Sequence, residues 1–131
     1  ARLAGAVPPP VVLAFVKPVG DGLTHAEELL LDPATRARVA RDAVATGKTL
    51  GVEVGIRNLP ACLAPELVSR LVDYYLEDYS VDVATRQRQA YAHSEYLFHA
   101  EPCSGCTHRT MCPGIYREDA RRFGTGAYVP I

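Results

Sequence analysis

The densest chemistry in this 131-residue sequence lies in Cys103-Ser-Gly-Cys106-Thr-His-Arg-Thr-Met-Cys112-Pro-Gly-Ile, where three of the four cysteines are spaced C-x2-C-x5-C. Thiolates bind soft and borderline metals, and both zinc and iron-sulfur clusters take four such ligands or close to it. The intervening Ser, Gly and Thr are small enough for the backbone to curl around an inorganic centre. This run supplies three thiols. Cys62, in Asn58-Leu59-Pro60-Ala61-Cys62, is the remaining cysteine and the natural fourth ligand, with His99 and His108 as substitutes. Alone, Cys62 also reads as a buried structural cysteine; an incomplete trio elsewhere in the chain tips it toward coordination.

Composition bounds what such a site can serve. At 48% hydrophobic and 22% charged residues the chain can bury one modest core, so one compact unit is expected. The net charge of -1 provides no overall basic field for nucleic acid. Charge is nonetheless uneven: Arg109, Arg117, Arg121 and Arg122 follow the cysteine run against only Glu118 and Asp119, whereas Glu66, Asp73, Glu77, Asp78 and Asp82 face only Arg70. Arginines near four thiolates would offset their charge; a solvated helix face explains them equally well. No apolar run is long enough to span a membrane and there is no signal-peptide pattern, so a cytoplasmic location is expected, where clustered cysteines are more often ligands than disulfides. The chain opens Ala1-Arg2-Leu3 with no initiator Met, which suggests the back part of something longer.

The elements that must position the thiols read as follows. Pro8-Pro9-Pro10 is a connector. Val11-Val12-Leu13-Ala14-Phe15-Val16 has the unbroken apolar pattern of a parallel strand covered on both faces, and it stops at the turn-rich Lys17-Pro18-Val19-Gly20-Asp21-Gly22. Thr24 and Glu27 form a capping-box pattern that predicts a short helix through Leu31. Asp32-Pro33 then starts a helix running to Gly51, with Ala37, Ala40, Val44 and Gly47 inward and Arg36, Arg38, Arg41, Asp42 and Lys48 on the wet face. Val52-Glu53-Val54-Gly55-Ile56-Arg57 alternates like a strand. Strand, helix, strand makes a βαβ unit with parallel strands, and the loop after the second strand, a usual place for α/β chemistry, carries Cys62. Pro65 opens a further helix with Leu67, Val68, Leu71, Val72, Tyr75 and Tyr79 on one stripe. Residues 80–92 lean toward helix, 96–98 are extended, a last helix runs from Pro113 to Arg122 or Phe123 and is closed by Gly124, and 126–131 form a tail.

Three features together resemble the C-terminal part of a radical S-adenosylmethionine enzyme with an auxiliary cluster of the SPASM/Twitch type. They are the strand end Phe15-Val16-Lys17-Pro18-Val19-Gly20, the strand end Asn58-Leu59-Pro60-Ala61-Cys62, and Cys103-x2-Cys106-x5-Cys112-Pro113-Gly114-Ile115 followed by a helix and Gly124. The resemblance implies an α/β fold. Residues 1–64 would be the C-terminal βαβ portion of a partial (β/α)6 TIM-like barrel, and residues 65–131 a small helical, cysteine-ligated cluster-binding extension. Cys62, Cys103, Cys106 and Cys112 would hold a 4Fe-4S cluster for electron relay or structural support. The partners implied are the N-terminal barrel portion, an external electron donor and an unassigned substrate, peptides being among those that such barrels serve. The C-x3-C-x2-C loop that binds the S-adenosylmethionine-cleaving cluster is absent, so these residues alone are not expected to generate a 5'-deoxyadenosyl radical. Tyr116 occupies the position of a further SPASM cysteine, so a single cluster is the better fit.

At the end of the second strand, Arg57 and Asn58, with Glu53, are candidates for contact with cofactor or substrate, and surface or ion-paired roles are the plainer reading; Lys17 is similar. No catalytic residue is assigned. Two other classes compete: a structural zinc module, which usually pairs two short-spaced couples of ligands, and a ferredoxin-like electron carrier, which usually packs C-x2-C-x2-C.

Overall fold

The structure is a computed structural model that describes residues 8–72, 79–81, 88–90 and 95–131, the side chains of 79–81 and 88–90 excepted. Strand β1 (Val11–Ala14) pairs in parallel with β2 (Val54–Arg57), Val11 opposite Val54 and Ala14 opposite Arg57. Between them come two single helical turns, α1 (Asp21–Thr24) and α2 (Ala26–Leu29), and the long helix α3 (Pro33–Leu50). Asp32 starts α3: its carboxylate accepts the Thr35 amide at 3.0 Å and the Thr35 hydroxyl at 2.6 Å. This satisfies a first-turn donor that has no partner inside the helix. Gly51 ends it in the left-handed conformation, φ 68°.

One core holds the chain together. Phe15 after β1, Ala37 and Ala40 on α3, and Val54 and Ile56 on β2 pack with Leu59, Ala61, Leu63, Leu67 and Leu71, and with Ile115 and Tyr128 from the far end of the sequence. The core therefore runs across the boundary expected between 64 and 65. Complete burial of Ile56 alone is worth roughly 1.5–3 kcal/mol.

Several expectations are corrected. The first strand is not covered on both faces: Val11 and Val12 are each 51% exposed, because β2 is the only strand that pairs with β1 among the described residues. Thr24 does not cap a helix through Leu31; it ends α1, and its hydroxyl donates to the Gly20 carbonyl at 3.4 Å. Arg36 is not on a wet face but buried.

The helix expected from Pro65 is a 3-10 turn, Pro65–Arg70, after which Leu71 bridges Ile56 in parallel and the Val72 amide donates to the Ile56 carbonyl. Bonding to the strand edge competes here with the helical ladder and wins. Tyr75, expected on the same stripe, lies outside the described residues, and Tyr79 belongs to a strand. Part of the stretch 80–92 is strand as well: β3 (Tyr79–Val81) pairs antiparallel with β4 (Arg88–Ala90), while 82–87 and 91–94 lie outside the described residues. The described residues of the second half are therefore far less helical than expected. Beyond it, β5 (Leu97–Phe98) pairs antiparallel with β6 (Ile115–Tyr116), and α4 (Arg117–Phe123) begins four residues later than Pro113. Gly114, at φ 100°, cannot start a right-handed helix. Among the described residues no closed barrel is present, and no helix is long and apolar enough to cross a membrane.

Candidate metal centre

Cys62 is delivered by the end of the parallel pair. After β2 the chain turns through Asn58, whose φ of 60° is left-handed and whose side-chain amide donates to the Phe15 carbonyl at 2.6 Å. This bond ties the loop to the end of β1. Pro60 then leads into a 3-10 turn, Ala61–Leu63, which buries Ala61 and Leu63 in the core and leaves Cys62 half-buried between them.

The other three thiols come from a chain of short turns. A further 3-10 turn, Glu101–Gly105, places Cys103, with the Cys103 amide bonded to Ala100 and the Cys106 amide to Cys103. The Cys112 amide bonds the His108 carbonyl at 2.9 Å and closes the curl. The β5–β6 pair clamps its two ends. At this clamp Gly114 is required: a Cβ there would stand 2.5 Å from the Phe98 carbonyl oxygen. The Gly114 amide also donates to Cys112 Sγ at 3.4 Å.

These two deliveries meet. Cys62, Cys103, Cys106 and Cys112 line one depression together with Pro60, His99, Arg109, Gly114, Ile115, Tyr128 and Pro130. None of the four cysteines is in a disulfide. Their closeness is felt electrostatically: burial first, then the neighbouring Cys112, Cys103 and Cys106, push the Cys62 thiol up to about 12. A cationic centre would favour the Cys62 thiolate against this burial, and four thiols are a donor set that zinc and iron-sulfur clusters accept. Among the described residues no three His, Cys, Asp or Glu side chains are gathered closely enough to hold a single metal ion.

His99 sits at the rim with Nε2 3.0 Å from the Cys112 carbonyl oxygen, so this nitrogen serves the backbone. His108 is not among the residues lining the depression. Arg109 lines it, whereas Arg121 and Arg122 are held by Glu118 on α4. Arg57 and Asn58 lie at the end of β2, and Glu53 pairs with Arg70 at 3.3 Å. Arg117 lies over the Phe98 ring, 5.3 Å from its centroid.

Two features escaped the sequence. Tyr128, from a segment read as tail, is 2% exposed and lines the depression. Behind it, Arg36 of α3 donates to Asp119 of α4 at 2.7 Å and to the Tyr128 hydroxyl at 3.1 Å. The only signal for Tyr128 was a lone aromatic between Gly126 and Pro130; nothing local marks Arg36 among the arginines of its helix. Comparison with known proteins gave no matching family model, no similar curated protein and no similar solved structure.

Proposed function

We propose that Cys62, Cys103, Cys106 and Cys112 hold a 4Fe-4S cluster, in the C-terminal part of a radical S-adenosylmethionine enzyme. The observation that carries this reading is the meeting of sulfur from the loop after β2 with sulfur from the late cysteine run in one depression. Four thiolates would ligate every iron, which suits electron relay or bracing of the fold rather than substrate binding at an open iron. The Gly114 amide beside Cys112 and the Arg109 side chain at the rim are the kind of donor and charge that set the potential of a cluster. The parallel β1–β2 pair with α3 between its strands is what the end of a partial barrel contributes. Arg57 and Asn58 stand where contact with cofactor or substrate would then arise.

A structural zinc ion is the competing occupant, and it needs the sulfurs drawn to about 2.3 Å of one point. Anaerobic reconstitution with iron and sulfide, followed by metal and sulfide analysis, separates the two. The expected result is about four irons and four sulfides per chain with visible absorption, lost in Cys62→Ala and Cys106→Ala alike. Bound zinc with no iron uptake would replace the cluster by a structural ion, and a Cys62→Ala protein that keeps its full metal content would remove Cys62 from the site. The enzyme kinship is tested separately, by whether the coding sequence upstream of Ala1 carries C-x3-C-x2-C.

A further inference from the structure

The segment 125–131 is attached at two points, one on α3 and one within the cysteine curl. At one, the Tyr128 hydroxyl receives a hydrogen bond from Arg36, itself buried and held by the buried Asp119. At the other, both the amide and the hydroxyl of Thr107, which follows Cys106 directly, donate to the Ile131 carbonyl oxygen, at 2.8 and 2.6 Å. Between these anchors Tyr128 and Pro130 form part of the wall of the cysteine depression. Tyr128 is buried while its neighbours Ala127 and Val129 are exposed, so the segment turns this ring inward.

We infer that residues 125–131 form a cover over the four thiols, with Tyr128 as the positioning residue that Arg36 and Asp119 hold in place. This deepens the metal-centre reading, since a covered site limits the access of water, oxidant and chelator to whatever the thiols bind. The cover is built from three distant places in the sequence: a residue of α3 fixes a residue of the tail, and a residue of α4 keeps the fixing charge paired. An arginine buried for this purpose costs desolvation that a purely apolar contact would avoid. What it adds is a directed bond to the Tyr128 hydroxyl.

The test reads the thiols without any metal, so it stands apart from the outcome of reconstitution. Reduced, metal-free protein is alkylated with iodoacetamide and the rate is resolved for each cysteine by mass spectrometry, for the wild type, Tyr128→Ala, Tyr128→Phe and the exposed-site control Val129→Ser. Circular dichroism establishes that each variant is folded. Loss of a buried hydrogen bond to a charged group raises the population of the open form, so alkylation of the pocket cysteines in Tyr128→Ala is expected to rise about tenfold, with Val129→Ser unchanged. A folded Tyr128→Ala protein alkylated at the wild-type rate overturns the inference. Should that variant fail to fold, Tyr128→Phe decides in the same way, a several-fold rise supporting the cover and an unchanged rate overturning it.

Discussion

Cys62 shows how one atom's surroundings are set by residues far from it in sequence. Burial and three neighbouring thiols push it from 9.0 to about 12, so in the metal-free protein the folded state holds its proton more tightly than the unfolded chain does. The sign follows: the contribution to stability is fully present below pH 9.0 and is lost as pH rises toward about 12. Urea unfolding of the metal-free protein across that window should show falling stability, with a smaller fall in Cys62→Ser. The proposed metal binding would reverse the preference, because ligation requires the thiolate and expels the proton. Uptake of metal should therefore weaken as pH is lowered.

Helix α3 is positioned by a small residue rather than a large one. Gly47 lies in its last turns, where Ala would ordinarily gain roughly 0.5–1 kcal/mol by limiting the unfolded chain. Here a Cβ would collide with the Val54 side chain on β2 and stand 2.8 Å from the Val52 carbonyl oxygen. Overpacking costs about 1–3 kcal/mol, so the clash wins and Gly47→Ala should destabilise by about 1–2 kcal/mol net in urea titration. The close contact seats α3 against the strand that leads to Cys62, so looser packing should also lower metal occupancy.

Across the whole molecule, the buried Arg36–Asp119 pair joins the α/β half to the cysteine-bearing half through α4 and Tyr128. Burial raises the Asp119 carboxyl above the usual carboxylate range, against the opposing pull of the Arg36 guanidinium. A pair of this kind is weak evidence for stability, yet breaking it is costly because one charge is left buried and unpaired. Asp119→Ala is therefore expected to cost about 3–5 kcal/mol by urea unfolding, and Arg36→Met combined with Asp119→Leu should recover much of it. Recovery in the double variant without restored shielding of the thiols would separate the stabilising role of the pair from its positioning role.

Local rules sufficed for α3 and for the paired strands β1 and β2, though not for Thr24, whose capping-box pattern started no helix. Asp32-Pro33 and Gly51 mark both ends of α3 and the apolar runs mark β1 and β2, since caps and alternation are short-range properties. Those rules failed where a partner lay far along the chain. Leu71 bonds a strand edge instead of continuing a helix, and Gly114 keeps α4 from starting at Pro113. Arg36 is buried because Asp119 and Tyr128 wait for it 83 and 92 positions away. The sequence alone determined that four thiols were available. Only the tertiary structure decided that they share one depression and that the tail lies against it, because both depend on chain segments brought together by the common core.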